Sequence, residues 1–136
     1  MKICVLQPDY STTGVDYKNY DPPRNLSSLL PAHDVHHVFL NKLTTYKQLK
    51  DLSKEGFDIF INLCEAYLEW EVPGMDVIHS LDLLKLPYTG PTAKLYDPPK
   101  ELMKYVAYCE GVKTPGYVLI NHIQDIDDAV KQLKFP

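Results

Sequence analysis

Residues 57–63, Phe-Asp-Ile-Phe-Ile-Asn-Leu, are the feature that most restricts this chain. A run of that length, rich in aromatic and β-branched side chains, is a strand. With so little polar alternation it reads as buried on both faces, as strands in the middle of a parallel sheet are. Parallel neighbours are joined by crossovers, most often helices. One segment therefore points the whole chain toward an α/β architecture.

The flanking sequence supplies the matching parts. Residues 2–7 form a short apolar run closed by Pro8 and Asp9, and residues 34–40 carry Val35, Val38, Phe39 and Leu40. Both are expected strands. Thr44 or Thr45 can cap a helix with Tyr46, Leu49 and Leu52 on its apolar face, ended at Gly56. Pro73 opens a second helix, in which Val77, Ile78, Leu81 and Leu84 form a core-facing stripe. Residues 86–90 give only a brief extended segment. Asp97-Pro98-Pro99 is a helix start, Leu102, Val106 and Cys109 form one face of that helix, and Gly111 is its C-terminal stop. Asp21-Pro22-Pro23 has the same grammar and is expected to open a short helix that Pro31 ends. Residues 116–120 read as a further strand. A last helix starts at Asn121 or Asp125 and runs through Ile126, Ala129, Val130 and Leu133.

Strands alternating with helices predict a Rossmann-like three-layer α/β domain, with a mainly parallel sheet and helices on both faces. Ligands of such sheets lie at the carboxyl ends of the strands, where strand order reverses. Three loops are then candidates: after Gln7, after Leu63, and residues 88–97. The loop of residues 9–23, rich in Tyr and Asp, is long enough to be functional or mobile.

Several function classes are excluded or weakened. The net charge is −4 and Lys and Arg are scattered, so no nucleic-acid partner is expected. No apolar run reaches membrane-spanning length, so no membrane partner is expected either, and the chain reads as cytoplasmic. The three cysteines, Cys4, Cys64 and Cys109, are widely spaced without a CxxC pair; buried reduced thiols are expected, with Cys64 alone kept open as reactive. His36 and His37 point to opposite faces of a strand and cannot share one metal ion. No residue is assigned a metal or a catalytic role. Gln7-Pro8-Asp9-Tyr10 is not a dinucleotide-binding glycine fingerprint. Ser11-Thr12-Thr13-Gly14 faintly echoes a flavodoxin phosphate loop, but a solvated turn explains it better.

Tyr20-Asp21-Pro22-Pro23-Arg24 and Tyr96-Asp97-Pro98-Pro99-Lys100 nearly duplicate each other. Shared helix-start chemistry accounts for both. The alternative is that a cation one turn into each helix attracts phosphate. Asn62 and Glu65 follow the buried strand and can face a crevice. Glu69 and Glu71 follow closely, and such carboxylates can bind an amine or do acid–base work.

From residue 57 onward the sequence resembles the D-alanine–D-alanine-ligase-like branch of the ATP-grasp superfamily. Asp58-Ile59-Phe60-Ile61-Asn62-Leu63-Cys64-Glu65 resembles its D-V-V-F-N-L-A-E strand and turn, and Leu86-Pro87-Tyr88-Thr89-Gly90 its I-P-Y-T-G. Val72-Pro73 and the helix after it resemble V-P-A-L-L-E. Lys100 to Lys104 and then Gly111-Val112-Lys113-Thr114-Pro115 follow its D-K-x-x-T-K and G-V-P-T-P spacing. Leu133-Lys134-Phe135-Pro136 resembles the L-x-F-P that leads into the ATP-binding lobe. The first 56 residues follow the family in outline only, and Pro99 stands where the family has the Asp of D-K.

The resemblance implies a pre-ATP-grasp domain over residues 1–120, with residues 121–136 as a final helix and the start of a connection to a C-terminal ATP-grasp domain. It implies the substrate-side domain of an ATP-dependent carboxylate–amine ligase, inactive alone because the family's catalytic Arg and Mg2+ ligands would lie beyond Pro136. ATP and Mg2+ would serve the full-length enzyme, with neither held tightly here. Lys100 would approach the ATP phosphates. Asn62 and Glu65 would line a pocket for a small carboxylate or amino-acid substrate, and Lys104 would point to solvent or the next lobe. Whether the chain forms a homodimer is left open. The competing reading is a free-standing, non-catalytic Rossmann-like module for binding or dimerisation. A flavodoxin- or receiver-like domain is a third.

Overall fold

The computed structural model describes residues 1–14 and 19–133 and contains a parallel sheet of three strands, β1 (Lys2–Pro8), β2 (Asp34–Leu40) and β3 (Ile59–Asn62), in the order β2-β1-β3. Register runs from Lys2 opposite Asp34 to Pro8 opposite Leu40 on one side of β1, and from Ile3 opposite Ile59 to Leu6 opposite Asn62 on the other. Tyr88 adds a one-residue parallel bridge to Phe60, closed by Phe60 N–H donating to Pro87 O (2.9 Å) and Thr89 N–H to Phe60 O (3.0 Å). The brief extended segment at residues 86–90 is therefore present.

The central strand is β1, not the 57–63 run. Residues 3–8 of β1 are all buried, whereas in β3 only Phe60 is. The reason is position: β1 has a strand on each side, and β3 has β1 on one side and a single bridge on the other.

Two helices follow the expected periodicity. They are α1 (Thr45–Leu52), with Thr44 at its N-cap position, and α2 (Met75–Leu83). Leu49 and Leu52 of α1 and Val77 and Leu81 of α2 join Cys4, Leu6, Leu40 and Phe60 in one apolar cluster, with Leu84, Leu86 and Tyr88 packed against it. These contacts place α1 and α2 over the face of the sheet that carries Cys4 and Leu6. Tyr46, expected on the same stripe, is 44% exposed. Fully burying one such aliphatic side chain is worth about 1.5–3 kcal/mol, so this cluster is the main source of cohesion here.

Where α1 and α2 meet, Lys42 Nζ pairs with Asp76 Oδ1 at 2.7 Å, both side chains being less than a fifth exposed. Burial alone would raise the Asp76 carboxyl. The Lys42 ammonium, the Gly74 N–H and the Thr45 hydroxyl outweigh it and hold the carboxyl below the usual Asp range. A carboxylate in the first turn of α2 also suits the helix dipole.

The other face of β1 carries Val5 and Gln7. Here the helix expected from Asp21 is not formed. Residues 22–26 have no regular structure and residues 27–29 are a turn. Arg24 N–H donates to Gln7 Oε1 (2.6 Å) and Leu26 N–H to His37 Nε2 (3.0 Å), which ties the segment to side chains of β1 and β2. Ser27 N–H donates to Asn25 Oδ1 (2.9 Å). Such Asx turns compete with helix for the same backbone groups. Between Pro23 and Pro31 too few residues remain for the costly helix nucleus to win.

Two compact units are formed, Met1–Tyr96 and Asp97–Pro136. The second contains α3 (Lys100–Cys109), a 3-10 turn (Ile123–Asp125) and α4 (Ile126–Gln132). Gly111, at φ +70°, ends α3 in a Schellman turn, with Val112 N–H donating to Ala107 O (2.8 Å) and Gly111 N–H to Tyr108 O (3.1 Å). Asp125 accepts the N–H groups of Asn121 and His122 and starts the last helix. Residues 116–120 are not a strand. A strand exists by pairing, and these residues have no partner strand among the described residues. Lys134, Phe135 and Pro136, part of the expected link to a further lobe, lie outside the described residues, as do residues 15–18 of the loop. No helix among the described residues is long and apolar enough to cross a membrane.

Candidate functional site

In sequence order the sheet first grows from β1 to β2 and then crosses back over β1 to β3. The chain thus leaves β1 and β3 in adjacent positions with connections running to opposite sides. Loops diverging at such a reversal open a crevice beyond the carboxyl ends of the strands. A cleft of about 350 Å³ lies in this place, lined by Tyr10 from the loop after β1, Asp21 and Arg24 from the segment tied to Gln7, and Leu63, Glu65, Trp70 and Val72 from the loop after β3. A smaller cavity of about 120 Å³, lined by Gln7, Pro8 and Phe39 among others, shares Tyr10 and Asp21 with it.

Tyr10 and Asp21 form the partition between the two. The Tyr10 hydroxyl donates to Asp21 Oδ2, and Arg24 Nη1 pairs with Asp21 Oδ1 at 2.7 Å. Burial and then the Asp21 hydrogen bond push the Tyr10 phenol well above its ordinary value, so it stays protonated as a donor. Asp21 is thus the acceptor that joins Tyr10 to Arg24, not the helix cap its Asp-Pro-Pro context suggests. Arg24, weighed as a phosphate attractor, spends its charge on Asp21. The turn at residues 11–14 is set by Ser11 N–H donating to Asp9 Oδ1 (2.9 Å) and Thr13 N–H to Tyr10 O (3.1 Å), as a solvated turn requires.

On the other wall, Asn62 does not line the cleft. Its Oδ1 accepts the Cys64 N–H at 3.0 Å, and its own N–H donates to Thr89 Oγ1 at 3.2 Å. Asn62 therefore shapes the strand exit and sends Cys64 inward and Glu65 outward. Glu65 is exposed and lines the cleft. Trp70 is held by an edge-to-face contact with Tyr67 at 5.5 Å, and Tyr67 by another with Tyr96 at 6.2 Å. The loop is anchored at its far end by Gly74. A Cβ there would sit 2.0 Å from Ala66 O, and Met75 N–H donates to that same oxygen at 2.9 Å. Only a residue without a side chain lets the two backbones approach this closely.

Lys100 is the first residue of α3, exposed, with its ammonium 4.0 Å from Met103 Sδ and no ion pair to a described residue. It belongs to the second unit. Lys104, expected to face solvent or a further lobe, is half-buried, with its Nζ donating to Pro115 O at 2.7 Å and lying 5.0 Å over the Tyr117 ring. The two similar Tyr-Asp-Pro-Pro segments part company, since only the second opens a helix.

The thiols divide. Cys4 and Cys64 are buried, and Cys109 is exposed, against expectation. Burial, with the nearby Glu55 charge, pushes the Cys4 thiol up to about 12. Burial, then the charges of Asp76 and Asp21, push Cys64 higher still, so it does not form the thiolate a reactive cysteine needs. Among the described residues no group of three or more His, Cys, Asp or Glu is gathered as a metal site. His36 pairs with Asp34 at 3.0 Å and His37 accepts from Leu26, on opposite faces of β2 as expected.

The fold and cleft define a mixed α/β protein with a candidate site at the carboxyl edge of a parallel sheet. No protein-family model matches the chain, and neither a curated protein nor a solved structure does.

Proposed function

We propose that this chain is the substrate-side domain of an ATP-dependent carboxylate–amine ligase of the D-alanine–D-alanine-ligase-like ATP-grasp type, built on a Rossmann-like three-layer plan. One observation carries the reading: the segment that resembles the family's strand and turn, residues 58–65, contains the parallel strand β3, and beyond its exit Glu65 lines a cleft at the reversal of strand order. The Leu86-Pro87-Tyr88-Thr89-Gly90 segment pairs beside that strand, which supports the same reading. In this account Glu65 meets the substrate and Asn62 holds the turn that presents it. Lys100, an exposed cation at the start of α3 without an ionic partner among the described residues, fits a phosphate-facing role toward ATP. Mg2+ and the acyl-phosphate chemistry belong to the ATP-grasp lobes.

The test is ATP titration of the protein in its complete reading frame, with Lys100→Ala beside it. The reading expects a loss of about tenfold in affinity, in the range of one charged hydrogen bond. Unchanged affinity removes Lys100 from the site. A reading frame without a lysine-bearing strand and later acidic metal ligands ends the ligase reading altogether.

The second reading, a free-standing binding or dimerisation module, has one observation in its favour. No residue of α3 is buried, and its apolar face leaves Leu102 42% and Val106 52% exposed. Sedimentation equilibrium separates the two: concentration-dependent dimerisation without ATP affinity favours the module.

A further inference from the structure

We propose that the cleft at the sheet reversal takes a small protonated amine carrying an apolar or aromatic body, and discriminates against the matching carboxylate. The inference rests on the cleft being the substrate side of the domain, and it names the amine as the component held there.

Charge balance is the first argument. Asp21 accepts from the Tyr10 hydroxyl and is paired with Arg24 at 2.7 Å, so those two charges cancel within the wall. No Lys, Arg or His among the described residues pairs with Glu65. Among the described side chains that line the cleft, Glu65 is then the one uncompensated charge. A carboxylate ligand would have to compete with Asp21 for Arg24. An ammonium meets Glu65 with nothing to displace. The surrounding potential has the same sign, because residues 65–71, Glu-Ala-Tyr-Leu-Glu-Trp-Glu, carry three carboxylates and no base.

Shape and surface chemistry are the second. The cleft volume of about 350 Å³ lies at the small end of ligand pockets, roughly 300–1,000 Å³. Its walls pair the rings of Tyr10 and Trp70 with the aliphatic Leu63 and Val72. Aromatic faces attract cations and tolerate apolar bodies. The chain of edge-to-face contacts from Trp70 through Tyr67 to Tyr96 fixes the indole before any ligand arrives, which lowers the ordering cost of binding. Trp70 remains 48% exposed, an apolar surface that a ligand body would cover.

Trp70 is the chain's single tryptophan, so its fluorescence reports on this cleft alone. The experiment titrates the 136-residue chain with 2-phenylethylamine and, separately, with 3-phenylpropanoate of nearly the same shape, followed by Trp emission and by calorimetry. The expected result is saturable binding of the amine with a change in Trp70 emission, and binding of the carboxylate weaker by about tenfold or more. Glu65→Gln should weaken the amine by about tenfold while leaving the unfolding midpoint in place, since Glu65 is exposed. Trp70→Ala, read by calorimetry, should weaken it too. Equal or tighter binding of the carboxylate, amine affinity within about twofold in Glu65→Gln, or no saturable heat with the amine overturns the proposal. None of these readouts needs ATP, so the cleft assignment can fail while the ligase reading stands, and the reverse.

Discussion

Gly74→Ala is the substitution with the most to say about how the cleft is held. At φ −164° Gly74 lies outside the left-handed region, so a positive φ is not what calls for glycine here. The obstacle is contact. The added methyl would lie 2.0 Å from Ala66 O, 2.2 Å from Ala66 N and 2.5 Å from Ala66 C, all backbone atoms that cannot rotate away. Ordinary contact requires the two segments to part by more than 1 Å, which breaks the 2.9 Å bond from Met75 N–H to Ala66 O. Leaving that buried pair unmade costs about 1–3 kcal/mol. Residual overpacking adds about 1–3 kcal/mol. Stiffening the unfolded chain returns about 0.4–1 kcal/mol. The net destabilisation is then about 1–6 kcal/mol, a large share of the roughly 5–15 kcal/mol that holds a domain together. Urea unfolding measures it directly, with an expected fall in midpoint at unchanged slope. Trp70 emission should also shift, because the loop bearing it loses its anchor. A variant within about 0.5 kcal/mol of the parent chain would refute the close approach of Gly74 to Ala66.

Two further outcomes are expected. Asp76→Asn leaves the Lys42 ammonium, 17% exposed, without its partner and should cost about 1–3 kcal/mol. Because the Asp76 carboxyl is held below its ordinary value of 3.8, its contribution is fully present above that pH and is lost as pH falls through the lowered folded value; the variant should flatten the acid side of the stability curve. With a thiol reagent at neutral pH, Cys109 should react promptly, and Cys4 and Cys64 only after denaturant is added. Fast reaction of all three would contradict the burial of β1 and of the turn after β3.

Much of this fold could be read from local pattern. The second strand matches residue for residue, because its bounds are set by Asp34 and by Leu40 before the polar turn. The helices at residues 45–52 and 75–83 follow from apolar spacing, which needs no knowledge of the partner surface. What failed is what depends on distant partners. The Asp-Pro-Pro signal at residue 21 looks the same as that at residue 97, yet Gln7 and His37 capture the first segment and nothing local announces it. Residues 116–120 have strand composition without a strand to pair with. Apolar content points to residues 57–63 as the central strand, yet it does not reveal how many neighbours a strand acquires, and β1 is central.

The site was legible in part. The loops after Gln7 and Leu63 were identified from strand ends alone, and both supply walls of the cleft. Sequence reasoning does not single out Tyr10, Asp21 and Trp70 as lining residues. Tyr10 stands two residues past the end of β1 and Trp70 lies between Glu69 and Glu71, so the sequence holds a signal for both. Asp21 gave none, because its role depends on a hydrogen bond to Tyr10. Asn62 ends β3, and its side chain serves the turn that follows.

The central claim is that β2, β1 and β3 run parallel in that order and so bring the exits of β1 and β3 together. Cross-strand nuclear Overhauser effects on the isotope-labelled chain test it most directly. The account expects contacts of Cys4 with both His36 and Phe60, repeated along the strands with both partners advancing in the same direction. Contacts whose partners run in opposite directions, with the close Hα–Hα pairs of antiparallel strands, or a sheet in which Lys2–Pro8 lies at an edge, would contradict it.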